Sequence, residues 1–384
     1  MTKSIFTNRG NDTWIAEIAC AIVFCIFTFA YLFFYQADLL TMEQHVLSDG
    51  LTKYNRTIGA VIITAILLLL QQGVDAATKR TIKMPALTYF PPAMLLAMLT
   101  DISPSIDHGY SIGKWAWLAP LLLTAWGGAA YVSARLVSEE SPKLETPVRT
   151  VWENFLTMVA LYIFIGATAN TNRVFHERMK MEVMVAEGKY EDALSVKTSK
   201  ADKDSTITML RAYALAREGK IGERLFEYKV YGGSEALLPN GSSVKSLLLP
   251  KYEIFRFVAK PTVEKMGVTQ YLKWMKKHRY AKKPLRDYLL CAYLMDRKID
   301  LFVKELVEDK ETKFDKLPKH YREALILYNH IRSNPMVSYH NDIMDTDYTD
   351  MQNILRSVTN KKEAMSMAGK SYGNTYWYYY FSGK

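Results

Sequence analysis

The chain has 384 residues and a formal net charge of +10, and 49% of it is apolar, ample for a hydrophobic core and enough length for two or three domains. Its three cysteines are Cys20 and Cys25 in one apolar stretch and Cys291 alone in a polar one. A lone thiol cannot close a disulfide there and no Cys/His set has zinc spacing, so redox and zinc chemistry find no support.

Five stretches without a formal charge lie in the amino-terminal half: 18–37, 57–74, 84–100, 115–134 and 154–172. About 20 helical residues span the roughly 30 Å of a bilayer core, so residues 1–172 are expected to form a transmembrane domain of five helices. The first stretch follows only Lys3 and Arg9 and continues to Ala37 without a small-x-small cleavage site, which reads as a retained anchor. Pro91 and Pro92 interrupt the third, as in a kinked or re-entrant segment.

Lys and Arg favour the cytoplasmic side of short loops. With the amino terminus inside, that side carries Lys3, Arg9, Lys79, Arg80, Lys83, Arg135, Lys143 and Arg149, against Lys53, Arg56 and Lys114 outside. Five crossings then place everything after Asn172 outside, in a bacterium the periplasm. Charge divides in the same place: residues 1–172 hold 11 Lys/Arg and 12 Asp/Glu, the remainder 38 and 27.

Residues 173–384 read as an all-α domain. GKYEDA, with Gly188, Tyr190 and Ala193, is echoed by GKIGER, with Gly219 and Ile221; the two glycines stand 31 residues apart, a helical-solenoid period. These units resemble tetratricopeptide repeats, with Arg224 where the second should have its small residue. RDYLLCAYLMDRKIDLFVKEL is related, with Arg297 where the turn glycine belongs, and LPKHYREALILYNHI follows it. YGGSEALLPNGSS, 231–243, has the composition of a loop that interrupts the array. HVLSDGLTKYNRTIGA, LTYFPPAMLLAMLTDISPSID and HYREALILYNHIRSNP resemble an uncharacterised family of bacterial inner-membrane proteins with no established activity. That resemblance implies a multi-pass inner-membrane protein and leaves its function open.

KWMKKHRYAKKPLR, 273–286, holds seven cations and no acid. On a helix Lys273, Lys276, Lys277 and Tyr280 would share a face and turn Tyr271 and Trp274 towards apolar contacts; the bland alternative is a solvated repeat face. Such a face fits anionic headgroups, an anionic polymer or an acidic partner, whereas nucleic acid does not fit a periplasmic domain. YHNDIMDTDYTDMQNIL lacks the glycine and ligand alternation of a calcium loop, and Asp347 or Thr349 is expected to N-cap the helix after it. The first external loop carries Asp38, Glu43, His45 and Asp49, where a general base could meet a lipid-linked acceptor. No P-loop, dinucleotide turn, serine elbow or zinc-protease helix occurs.

The chain ends in SYGNTYWYYYFSGK. Tyr376, Trp377, Tyr380 and Phe381 are expected to dock in the solenoid's own groove or in the headgroup layer. The resulting expectation is a membrane-anchored α-solenoid that scaffolds an envelope protein or complex, without cofactor or metal. Tyr213, Arg217, Lys273, Trp274, Lys276, Lys277 and Arg279 are its candidate partner contacts. The alternative is a membrane enzyme acting on a lipid-linked sugar or envelope polymer through Asp38, Glu43 and Asp49.

Overall fold

The computed structural model describes residues 11–78, 82, 84–106, 112–139, 147–198, 203–260, 266–309 and 313–383. Lys3, Arg9, Lys79, Arg80, Lys83 and Lys143 of the charge-asymmetry argument lie outside them. The described chain is helical and contains no strand, apart from an isolated antiparallel bridge between Ala259 and Ala281. It forms two compact units, Met1–Met179 and Lys180–Lys384.

In the first unit, α1 (Asn11–Ala30) continues into a π-helical segment, Tyr31–Tyr35, followed by α2 (Ala37–Leu47) and α3 (Arg56–Ala77). A 3-10 segment, Pro85–Tyr89, leads into α4 (Phe90–Leu99), and α5 (Trp115–Glu139) and α6 (Pro147–Thr168) follow. Among the described residues, three helical spans are long and apolar enough to cross a membrane: Trp14–Tyr35, Arg56–Ala77 and Val151–Thr168.

Each of these spans buries only a narrow stripe. On the first it is Ala16, Cys20, Phe24, Thr28 and Leu32; on α3 Ala60, Thr64 and Leu67; on α6 Asn154, Met158, Leu161 and Ile165. Spacings of three and four keep each stripe on one helix face. Along these stripes α1 packs on α3 and α6, α4 packs on the same two helices, and α5 lies along α4. The faces turned away are apolar as well: Ile26 is 64% exposed, Leu69 65% and Ile163 66%.

The proline-interrupted run is the most irregular backbone here, and side chains satisfy it. Ala86 N–H donates to Asn154 Oδ1 at 2.9 Å, and the Leu87 carbonyl accepts from Trp126 Nε1 at 2.9 Å. Thr88 Oγ1 accepts from Gln71 Nε2 at 2.8 Å. The prolines stand in the 3-10 turn and the first turn of α4, where a missing N–H leaves no helical bond unmade.

Helix α7 (Arg173–Ala186) leads into α8 (Tyr190–Ser195), α9 (Ser205–Arg217), α10 (Ile221–Arg224), α11 (Lys251–Val258) and α12 (Val268–Lys277). After them come α13 (Leu285–Met295), α14 (Ile299–Glu308), α15 (Lys319–Ile331), α16 (Asp342–Ser357), α17 (Lys361–Tyr372) and α18 (Tyr376–Ser382). Ten consecutive residues of α9, Thr206–Leu215, are buried, as are Tyr288–Met295 of α13 and Glu323–Tyr328 of α15. Helices buried on every side are central ones, and α8, α10, α12, α14, α16 and α18 pack against these three.

One turn geometry recurs. Gly188, Gly219, Arg279 and Arg297 all take positive φ, at 76°, 68°, 61° and 58°. The residue after each donates to a carbonyl five positions back: Lys189 to Met184, Lys220 to Leu215, Tyr280 to Met275 and Lys298 to Tyr293. This closes the last carbonyls of a helix and reverses the chain. Glycine takes the conformation freely, whereas an L side chain pays about 1 kcal/mol or more.

Two expectations are corrected. Residues 231–243 are a loop only in part: Gly233–Leu237 form a 3-10 turn packed on α9, α12 and α13, with Ala236 and Leu237 fully buried, and 240–243 stay irregular and exposed. Asp296 holds it, accepting from Ser234 N–H at 2.9 Å and Ser234 Oγ at 3.0 Å, and the buried Glu182 carboxyl accepts from Leu247 and Leu248 N–H farther on. The α16 cap is neither Asp347 nor Thr349. That helix starts five residues earlier than Asp347, at Asp342, because Asn341 Oδ1 accepts from Met344 N–H at 3.1 Å.

The aromatic tail is α18, seated against α15 and α17. Phe226 N–H donates to His320 Nε2 at 3.2 Å, which leaves Nδ1 as the donor to Glu323 Oε2 at 2.8 Å. The same Oε2 accepts Tyr376 N–H at 2.7 Å, and Trp377 Nε1 donates to the Glu323 carbonyl at 2.6 Å. Arg297 donates to the Tyr379 and Tyr380 carbonyls, each at 3.1 Å.

Glu323→Ala leaves two buried donors unmet and is expected to cost about 3 kcal/mol, read as a lower unfolding midpoint. Arg297→Gly relieves its own turn while freeing the tail carbonyls, so hydrogen exchange of 376–382 should rise without that large loss. Unchanged exchange would show that Arg297 does not hold the tail.

Candidate functional site

Phase along α2 separates the acids of the loop after the first apolar span. Asp38 and Glu43 are five residues apart, about 140° around a helix. Asp38 faces Arg56, with the carboxylate 2.7 Å from the guanidinium, and Asp49 sits exposed in a turn with φ at 49°. Glu43 opens on a cavity of about 430 Å³ shared with Asp101, Lys114, Trp115 and Asn170. The three acids therefore do not converge.

The cavity wall is built from helix ends. Asp101, just past α4, accepts from Lys114 Nζ at 2.9 Å and Trp115 Nε1 at 2.9 Å. Asn170, just past α6, donates from its backbone N–H to the Thr100 carbonyl at 3.1 Å and from its side chain to the Ile102 carbonyl. The π-helical end of the first span brings Tyr31 to Thr100, and Gln36 Nε2 donates to Tyr31 Oη at 2.8 Å. Gln36 Oε1, fully buried, has no hydrogen-bond partner.

Among the described residues Glu43 makes no ion pair or hydrogen bond with another side chain, and burial pushes its carboxyl up to about 7. A carboxyl in that range can give or take a proton near neutral pH. Asp101, Lys114 and Asn170 carried no sequence signal, since each stands at the end of a different apolar run. Glu43 was legible only as one of several loop acids.

The partner contacts expected in the second unit scatter. Tyr213 is buried, whereas Arg217 is exposed and stacks over it at 5.2 Å, over Tyr190 at 5.7 Å and over Phe257 at 4.7 Å. Lys273 lies 5.3 Å over the Tyr293 ring, and Lys276 pairs with Glu305. Lys273, Lys276 and Lys277 share a face of α12, but Tyr280 is not on it: α12 stops at Lys277, and Tyr280 lies beyond the Arg279 turn, 6.0 Å from Trp274. Lys273, Lys276, Lys277 and Arg279 are all exposed.

Tyr376, Trp377 and Tyr380 are buried and Phe381 is half-exposed, which places the first three inside the chain's own packing. A separate cavity of about 500 Å³ lies beside them, lined by Arg322, Asn341, Asp347, Tyr372 and Trp377 among others. Asp345 accepts from His340 Nδ1 at 2.7 Å and His330 Nε2 at 3.3 Å. Among the described residues no group of three or more His, Cys, Asp or Glu has metal-site geometry.

Because burial raises the Glu43 carboxyl above its unfolded value, the folded chain binds the extra proton, and that stability is lost as pH rises through about 7. The unfolding midpoint of the detergent-solubilised protein is expected to fall between about pH 5 and pH 8, and Glu43→Gln to flatten the fall. Parallel midpoint curves for the two proteins would mean that the carboxyl is not desolvated.

No curated protein matches the chain, and no solved structure matches it either. Residues 142–255 and 262–383 match a family model described as a family of unknown function, DUF6057. The matched segments run from just before α6 through the aromatic tail and take in more than half of the sequence, so the chain belongs to the DUF6057 family.

Proposed function

We propose that this protein is a multi-pass inner-membrane protein whose second unit is a tetratricopeptide-like platform for another envelope protein or complex. The outward faces of the three long apolar helices carry the membrane reading. A soluble unit would cover Ile26, Leu69 and Ile163, and a bilayer solvates them directly. Apolar segments 84–100 and 115–134 complete the five crossings of this reading, with the second unit in the periplasm by the asymmetry of Lys and Arg.

The platform reading rests on the repeated turn at Gly188, Gly219 and Arg297. Each joins two helices across a left-handed residue, the way helical arrays stack their pairs. Buried aromatics at the tail close the array on itself, which keeps its final helices from exposing a core face. Purification of the tagged full-length protein in mild detergent is expected to recover a recurrent partner in near-stoichiometric amount, identified by mass spectrometry. Recovery of the protein alone, across detergents and crosslinked samples, would remove the platform reading.

The Glu43 cavity favours a second reading, an enzyme acting at the membrane surface on a lipid-linked sugar or envelope polymer. Here Glu43 is the acid or base and Lys114 a counter-charge, with Asp38 and Asp49 outside the cavity. Glu43→Gln would then abolish cellular function at normal abundance, while Asp49→Asn would leave it intact. Equal function in both variants would eliminate the enzyme.

A further inference from the structure

The Ala259–Ala281 bridge places the segment after α11 beside the one after α12, and so gathers cations that are distant in sequence. Lys282 N–H donates to the Val258 carbonyl at 3.1 Å and Lys260 N–H to the Tyr280 carbonyl at 3.3 Å, while Lys282 Nζ reaches the Arg256 carbonyl. Lys260 Nζ lies 5.1 Å over the Tyr280 ring, and Trp274 stacks on His278 at 4.1 Å. Arg256, Lys260, Lys277, Arg279, Lys282 and Lys283 thus surround Tyr280 and Trp274, and all six are exposed. Glu253, an acid on α11 one turn before Arg256, borders this corner and also approaches Tyr213.

We propose that this corner rests on the anionic headgroups of the bilayer in which the first unit sits. The inference builds on the membrane reading above and gives the cations of the second unit a lipid occupant. Charge complementarity supports it: four of the six cations belong to the run 273–286, which contains no acid, and exposed Tyr280 and half-buried Trp274 are the amphipathic rings that an interface favours. The same chain carries apolar spans, so the bilayer is at high effective concentration, and weak individual contacts suffice. An acidic protein partner would need to match this corner with its own acids and would bind with a fixed stoichiometry.

The test compares hydrogen exchange of 252–260 and 274–283 in the full-length protein, reconstituted into nanodiscs of phosphatidylcholine alone and of phosphatidylcholine with phosphatidylglycerol. Slower exchange is expected only in the anionic discs, by about tenfold, reversed by high salt and by the combined variant Lys277→Glu, Arg279→Gly, Lys283→Glu. Glycine suits the left-handed position of Arg279, so that change removes charge without straining the turn. Lys370→Glu, on exposed α17, serves as the control and should change nothing.

Equal exchange in both discs would overturn the proposal. Salt-sensitive capture of an acidic protein by the wild type, lost in the combined variant, would assign the corner to that partner instead. Failure of the chain to enter discs of either composition would sink the membrane reading and this inference together. Entry without lipid-dependent protection would sink this inference alone.

Discussion

The Glu323 carboxyl lies wholly inside the second unit, and the order of the last third of the chain depends on what reaches it. A buried acceptor of this kind is tolerated only when donors are fixed around it, and here both converge on one oxygen, His320 Nδ1–H and Tyr376 N–H. His320 can donate because Phe226 N–H occupies its other nitrogen. Three distant segments, at 226, 320–323 and 376, are thereby tied to a single point. The Phe226 ring packs against the His320 and Tyr376 rings in the same place, so the polar and apolar contacts specify one arrangement.

This explains a chain end made of aromatics. A tail must offset its own ordering entropy, and α18 does so by burying Tyr376 and Trp377 and by lending its last carbonyls to Arg297. Arg297 in turn explains a turn that local preference disfavours. The strain of a left-handed arginine is offset by two charge-assisted hydrogen bonds to residues 82 and 83 positions away. Gly188 and Gly219 reach the same backbone geometry without such help.

The first unit follows a different rule. Its helices bury one narrow stripe each, and the polar groups on those stripes, Asn154 above all, satisfy the irregular backbone at Ala86. Polar residues inside an apolar unit therefore serve its broken segment, and the cavity at Glu43 opens where the helix ends meet. A desolvated carboxyl among paired charges is the kind of group that an enzyme uses. The two readings of function thus attach to different units and can fail independently.

The helical character of the whole chain was legible in its sequence, because apolar runs and the 3.6-residue period are local properties. So were the turns at Gly188 and Gly219, where glycine announces a left-handed residue. Tertiary structure decided the rest. The stretch 231–243 has a loop's composition, yet Asp296 and the faces of α9 and α13 draw its 3-10 turn, Gly233–Leu237, inside. Lys273, Lys276, Lys277 and Tyr280 read as one face, but Glu305 and Tyr293 engage two of the lysines, Tyr280 lies beyond the helix, and the bridge at Ala281 brings other cations from the α11 side. Asp38, Glu43 and Asp49 look alike in sequence. Only helix phase and the position of Arg56 decide that Glu43 alone among them enters the cavity, since burial and pairing depend on residues that folding brings near.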